Sequence, residues 1–596
     1  MKILLAAINA KYIHSNLAVY CLRAYTLKHL RENNIDGDIN IEIAEYTINQ
    51  QASDIMQDIY EKKAHLVCFS CYIWNLDYVE RIVEELGKVC PEMPIWLGGP
   101  EVSYDAADVL RRLPKVKGVM KGEGELTFCR VVEAYLKSET SGALDSCLEQ
   151  LQGITYRAVV CRKEIGRSSA GHMEGEKVVE NPWREPMDLS LVPFVYEDMQ
   201  PFEHKIIYYE TSRGCPFSCS YCLSSVDKKL RFRSLELVKK ELQFFIDHKV
   251  SQVKFVDRTF NCNHAHAMAV WRYIKENDNG VTNFHFEVSA DLLNEEELEL
   301  IGQMRTGLIQ LEVGVQSTNP DTVREIRRTM DLGKLREAVL RVEAAGNVHQ
   351  HLDLIAGLPY EGVESFARSF DDIYAMRPQQ LQLGFLKVLK GSYMEEQKEN
   401  YGLICQSRPP YEVLSTKWLS YEELLRLKGV EEMVEVYYNS RQFEKTMGAL
   451  SKEYPSAFVM YENLWSYYKE NGFHKVQHKR SSRYEILLGF LVENHPGQAA
   501  YYKELLVYDY YLRENAKTRP VFAGESSLEK DEIRAFYERE EKERIYLKGY
   551  EKYDKNQMRK MTHLERFPQL GKTVLFDYLE RNPLNQEART CIIKGC

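Results

Sequence analysis

Thr211-Ser212-Arg213-Gly214-Cys215-Pro216-Phe217-Ser218-Cys219-Ser220-Tyr221-Cys222 is the stretch on which the reading of this chain turns. It follows Ile206–Thr211, which reads as a β-strand, and sets three cysteines in the pattern Cys-x3-Cys-x2-Cys. Three thiolates so close can wrap one side of a metal centre. A structural zinc ion asks for a fourth ligand, and no cysteine or histidine follows with zinc-finger spacing. A 4Fe-4S cluster on three cysteines leaves one iron open to a substrate or cofactor. Three buried thiols in a loop is the bland alternative.

Outward from this loop the sequence alternates strands and helices. Residues 203–395 give strand candidates at 206–211, 252–256, 285–289, 310–314, 351–355 and 380–385, with helical periodicity between them. Six βα units make a parallel sheet, open or closed into a partial barrel. Residues 1–140 alternate in the same way, and the near-continuous apolar run Leu66–Ser70 suits a strand buried on both faces. That pattern predicts a doubly wound, Rossmann-like sheet with ligands at the carboxyl ends of its strands. Residues 141–202 read as a polar connector, with Ser168–Gly171 as a surface loop. Residues 396–596 read as an all-helical domain. That last region holds 20 of the 38 tyrosines, which suits a flat organic or peptide substrate and suits core packing at least as well.

The cysteine pattern, with an aromatic before its third cysteine, resembles the signature of the radical S-adenosylmethionine (SAM) superfamily. The resemblance implies a 4Fe-4S cluster on Cys215, Cys219 and Cys222. The open iron would chelate SAM, and one electron would cleave it to a 5′-deoxyadenosyl radical. It implies a partial (β/α)6 TIM barrel and SAM contacts from Tyr221, Asp257, Glu287, Glu312, Gln316, Arg328 and Asp353. Among these, Gln316 and Asp353 match ribose contacts and Arg328 a carboxylate contact. Singly, Glu312 also reads as a satisfied buried carboxylate and Arg328 as a solvated helix residue.

The N-terminal sheet lacks the G-x-G-x-x-G of a dinucleotide fold after its first strand. Leu97-Gly98-Gly99-Pro100-Glu101 and Lys121-Gly122-Glu123-Gly124-Glu125 instead resemble segments of the cobalamin (B12)-binding domains of radical SAM proteins. Taken alone, each is also an ordinary turn sequence. The resemblance implies cobalamin contacts from Asn9, His14, Ser70, Cys71, Gly98, Gly99, Pro100, Glu101, Gly122, Glu123 and Gly124. The Asp-x-His-x-x-Gly loop that ligates cobalt in some cobalamin proteins is absent, so His14 is read as a polar loop contact. Cys68-Phe69-Ser70-Cys71 is a CxxC, read as two small residues facing ligand or core rather than a redox pair. The helical tail resembles that of a bacterial subgroup and brings no function with it.

Composition narrows the function classes. With 78 basic and 88 acidic residues the net charge is −10, against a general nucleic-acid binder. No run of about 18 apolar residues spans a membrane. Met1–Ile8 is too short an apolar run for a signal peptide and reads as a strand, which places the protein in the cytoplasm. Fourteen cysteines in 596 residues are not a disulfide framework.

Three functions follow. The first is a cobalamin-dependent methyltransferase acting on an unactivated carbon or phosphorus of a small-molecule or peptide substrate, with a flavodoxin- or ferredoxin-type electron donor. The second is a cobalamin-assisted rearrangement, cyclisation or redox step. The third is a tRNA-modifying enzyme or regulatory binding protein, suggested by the basic run His474–Arg483. No catalytic residue is assigned.

Overall fold

The computed structural model describes residues 1–35, 38–138, 140–162 and 173–594, so the expected loop Ser168–Gly171 lies outside the described residues. The chain divides into two compact units. One holds Met1–Leu300, Val323–Met330 and Phe385–Lys417; the other holds Ile301–Thr322, Asp331–Gly384 and Trp418–Cys596.

The first unit opens with β1 (Lys2–Asn9), α1 (Leu17–Glu32), β2 (Asn40–Thr47), α2 (Ala52–Glu61), β3 (Leu66–Ser70), α3 (Leu76–Val89), β4 (Ile95–Gly98), α4 (Pro100–Ser103), α5 (Ala106–Arg112), β5 (Val116–Met120) and α6 (Gly124–Lys137). The sheet order β2-β1-β3-β4-β5 is parallel throughout. Its strand order reverses at β1 and β3, and the loops leaving these two strands open a crevice there. Leu4, Ala6 and Ile8 of β1 pack with Val67 and Phe69 of β3 and with Val79, Ile82 and Val83 of α3. These apolar faces are what the alternating strand and helix patterns bury.

The connector proves to be part of this sheet. After α7 (Ser141–Glu149), β6 (Ile154–Arg162) and β7 (Met173–Glu180) pair antiparallel and extend the order to β2-β1-β3-β4-β5-β6-β7. Val116 and Val119 of β5 are fully buried, so an antiparallel ribbon covers an edge that would otherwise be open.

The first unit then adds β8 (Ile207–Tyr209), a small hairpin of β9 (Ser212–Arg213) and β10 (Arg231–Phe232), and the strands β11 (Gln252–Phe255) and β12 (Asn283–Val288). β8, β11 and β12 run parallel in that order. Phe255, Phe260, Trp271 and Phe286 form one aromatic cluster beneath them.

In the second unit β13 (Ile309–Gln316) pairs parallel with β14 (His349–Ala356), and β15 (Gln380–Phe385) follows. All six expected strands are present. Helices 421–434, 444–450, 457–470, 480–494, 499–513, 530–543 and 555–561 follow in this unit. The all-helical reading of 396–596 needs correction in two places, the first a short antiparallel pair of Ile404–Cys405 with Val413–Ser415. The chain closes on an antiparallel meander of Thr562–Phe567, Lys572–Arg581 and Ala588–Ile593. Its first two strands are joined by Pro568-Gln569-Leu570-Gly571, with Gly571 at φ 61° supplying the left-handed turn. Tyr437, Tyr461, Tyr468, Tyr484, Tyr502, Tyr511 and Tyr550 are all under 2 % exposed, so this tyrosine-rich region uses its rings as core.

Candidate cofactor site

The cysteine loop is held from several sides. At Gly214 φ is +89°, and a Cβ there would lie 2.7 Å from the Lys229 carbonyl oxygen, so only glycine lets the loop cross its own return strand. The Cys215 amide donates to the Asp227 carbonyl at 3.0 Å, the Ser220 amide to Ile326 at 2.9 Å, and the Met394 amide to Ser220 at 2.8 Å. Cys215 and Cys219 are buried, Cys222 is half-buried, and all three are free thiols. The donor set and its spacing fit an iron–sulfur cluster.

Arg328 stands beside this loop. Its Nη1 donates to Tyr221 Oη at 3.2 Å and lies 3.8 Å from Cys219 Sγ. Asp257 has a role that the sequence reading did not give it. Fully buried, it accepts from the Thr211 amide at 3.0 Å, Thr211 Oγ1 at 2.5 Å and Ser212 Oγ at 2.6 Å. Burial pushes its carboxyl up to about 6 against these hydrogen bonds. Both oxygens are thus engaged by the segment that leads into the cysteines, so Asp257 braces that segment. Glu287 is half-buried and lies 3.8 Å from Arg258.

Three expected SAM contacts lie in the second unit. Glu312, Asp353 and an unforeseen neighbour, His351, bring one ligand atom each within 4.8 Å of one another. His351 Nε2 is 2.9 Å from Asp353 Oδ1. The pairing register explains the meeting. Glu312 lies opposite His351 across β13 and β14, and positions 351 and 353 share a sheet face. Gln316 has φ +73° at a register shift in β13. Among the described residues its buried Oε1 has no hydrogen-bond partner, which fits a ligand hydroxyl donor.

A cavity of about 1230 Å³ lies wholly in the first unit. Asn9, His14, Ser70, Gly98, Gly99, Pro100, Gly122, Glu123 and Gly124 line it from the N-terminal sheet, and Arg213, Gly214, Leu223 and Ser224 line it from the cysteine loop. Gly99 is needed at φ +109°, where a Cβ would sit 2.4 Å from the Cys71 carbonyl oxygen. Trp74, stacked on Tyr72 at 4.4 Å, and Trp183, packed on Tyr104 at 5.7 Å, add flat apolar walls. Glycine floors and aromatic walls suit a large, flat macrocycle. The sequence reading missed these tryptophans, because nothing in their spacing marks them.

Two expected contacts fall elsewhere. Cys71 is fully buried and belongs to the sheet core with Phe69, because side chains alternate along β3 and its extension; Cys68 and Ser70 take the cavity face. The same alternation separates the CxxC pair. Glu101 turns away to accept from Tyr411 Oη at 2.6 Å, with Lys390 Nζ 3.3 Å from it. His14 lines the cavity, but its Nδ1 lies 2.5 Å from Tyr208 Oη. Burial and the charges of Lys11 and Lys254 lower its pKa, so the neutral ring is favoured. Asn9 Nδ2 donates to the His14 carbonyl at 3.0 Å and to Glu45 Oε1 at 2.9 Å, which fixes the loop. In the basic run, His478 Nε2 contacts the Phe473 carbonyl oxygen at 2.8 Å and Arg480 pairs with Glu514 at 2.5 Å.

Comparison with known proteins gives three matches in chain order. Residues 3–132 match the B12 binding domain, 209–373 the radical SAM superfamily, and 399–588 a protein family of unknown function, DUF4080. The chain is 25 % identical over 295 residues to an uncharacterized methyltransferase, PH0819, of Pyrococcus horikoshii, covering 47 % of this chain and 58 % of that one. It is 24 % identical over 357 residues to the cobalamin-dependent radical SAM methyltransferase TokK of Streptomyces tokunonensis, covering 57 % and 49 %. The chain thus spans about half the length of the curated relatives it matches. Among solved structures, the radical SAM methyltransferase TsrM of Kitasatospora setae superposes with a TM-score of 0.51 at 17 % identity, covering 68 % of this chain and 77 % of that one. At that identity the likeness is one of fold. No described helix is long and apolar enough to cross a membrane.

Proposed function

We propose that this chain, whose radical SAM match follows a B12-binding match and precedes a DUF4080 match, is a cobalamin-dependent methyltransferase acting on an unactivated carbon or phosphorus. One observation carries this reading. The 1230 Å³ cavity has the glycine loops of the B12-binding domain on one wall and the cysteine loop on another. A methyl donor and a radical source that serve one substrate must open onto a common space. When bound, the cluster supplies the electron that breaks the SAM sulfonium, and cobalamin supplies the methyl group.

The chain's own residues hold and orient. Cys215, Cys219 and Cys222 ligate the cluster, on a loop braced by Asp257 and by the Cys215 amide bond to Asp227. In the first unit Arg328 offers a guanidinium of the kind that holds a SAM carboxylate, and in the second Gln316 and Asp353 offer acceptors of the kind that hold ribose hydroxyls. Tyr221 and Glu287 of the first unit and Glu312 of the second are the further contacts that the resemblance implies. Gly98, Gly99, Gly122 and Gly124 let cobalamin approach the backbone, while Trp74 and Trp183 exclude water from its faces. The substrate is a small molecule or a peptide, and the electron comes from a flavodoxin- or ferredoxin-type donor.

The test is product stoichiometry under anaerobic conditions with SAM, hydroxocobalamin, a low-potential reductant and candidate substrates. Methyl transfer consumes one SAM as radical source and one as methyl source. 5′-Deoxyadenosine and S-adenosylhomocysteine should therefore form in equal amounts. Deoxyadenosine alone would identify a cyclisation or redox step instead.

A further inference from the structure

Two arginines, Arg213 and Arg231, flank the cysteine loop as direct cross-strand partners in its small hairpin. Like charges placed opposite each other repel, so the pairing needs compensation. Four carboxylates surround them. Arg213 grips Glu125 with both terminal nitrogens, Nη2 to Oε1 at 2.5 Å and Nη1 to Oε2 at 3.2 Å. It grips Glu210 through Nε and Nη2, each at 2.9 Å. Arg231 Nη2 donates to Glu123 Oε1 at 2.5 Å and to Asp227 Oδ2 at 2.7 Å. The Glu125 side chain is 5 % exposed and that of Arg231 11 %, so solvent screens these pairs weakly.

The partners come from two places that matter. Glu123 and Glu125 sit in the segment Lys121–Glu125, whose Gly122 and Gly124 line the cavity. Arg213 precedes Gly214 and Cys215, and Asp227 carries both the ion pair to Arg231 and the carbonyl that holds the Cys215 amide. A shift of the glycine loop therefore pulls on the cysteine loop through charge-assisted, partly bidentate bonds.

We propose that Glu123 and Glu125 are positioning residues that clamp the cysteine loop to the B12-binding loop, so that cobalamin binding and cluster assembly each favour the other. This rests on the reading that cobalamin fills the cavity. Binding linkage is reciprocal, so the coupling is measurable from either side.

The experiment titrates cobalamin into the full chain with its cluster and into the cluster-free Cys215→Ala/Cys219→Ala/Cys222→Ala variant. The wild-type cysteine loop with its cluster should bind cobalamin on the order of 10-fold more tightly. In Glu125→Gln, and in Glu123→Gln as a second variant that leaves the Arg213–Glu125 pair intact, the ratio should fall below about 3-fold. Glu125→Asp, which keeps the charge, should recover part of it. The reduced cluster's paramagnetic spectrum should change on adding cobalamin to the wild type and not to Glu125→Gln. An equal ratio in wild type and both variants, or no coupling in the wild type, overturns the proposal. Failure of the wild type to bind cobalamin at all overturns the reading of the cavity, a result distinct from the other two.

Discussion

Arg328 holds Nη1 at 3.8 Å from Cys219 Sγ. The guanidinium thus lies beside one of the three thiols that would carry the cluster. A fixed positive charge there stabilises the more negative, reduced cluster. Arg328→Ala should keep the iron, lower the cluster's reduction potential, and lose most cleavage of SAM. Arg328→Lys should restore the potential better than the cleavage, because a lysine supplies charge without the guanidinium fork. A redox titration followed by paramagnetic resonance, with deoxyadenosine measured in the same samples, checks both. An unchanged potential in Arg328→Ala would separate this residue from the cluster.

Replacing Cys215, Cys219 and Cys222 together by alanine should reduce iron from about four per chain to a trace and remove the broad absorption near 400 nm. Retention of four irons in the triple variant would mean that the cluster is held elsewhere.

His14→Ala should leave the absorption spectrum of bound cobalamin unchanged. The Asp-x-His-x-x-Gly pattern is absent from its loop, and that loop is held by Asn9 and, through His14 Nδ1, by Tyr208 Oη. A shift of the cobalamin bands in this variant would make His14 a cobalt ligand.

Some of this was legible in the sequence because a local rule produced it. Three cysteines within eight residues announce a metal centre, and the apolar runs of the six strands in 203–395 are each long enough to read by eye. His351 stayed hidden because only the pairing register of β13 and β14 sets it against Glu312. The Arg213–Glu125 pair joins residues 88 positions apart, which no periodicity reports. The resemblance implies a SAM contact at Asp257, yet its burial beside Thr211 and Ser212 makes it a brace of the cysteine segment. The resemblance assigns Cys71 and Glu101 to cobalamin, whereas strand alternation and the pull of Tyr411 and Lys390 turn them from the cavity. The closing meander was missed because its strands follow seven helices and alternate only weakly.

Glu361 gives the pH dependence its sign. It is fully buried in the second unit and accepts from Ser317 Oγ at 2.7 Å and Ser369 Oγ at 3.1 Å. Its other oxygen is buried without a hydrogen-bond partner among the described residues. Burial outweighs the serine hydrogen bonds and the charge of Arg368, and raises the carboxyl from 4.5 to about 7. A group whose folded pKa is raised holds a proton in the folded chain that the unfolded chain has lost. Its contribution to stability is complete below pH 4.5 and is lost as pH rises through about 7. At about 1.4 kcal/mol per pH unit the change is on the order of 3 kcal/mol. Glu361→Gln mimics the protonated acid, and the serine hydroxyls can bond an amide as well as a carboxyl. The variant should melt with the wild type at pH 5 and several degrees above it at pH 8. Thermal unfolding of the full chain at both values checks this, and a difference in melting temperature that does not change with pH would show that Glu361 is ionised throughout.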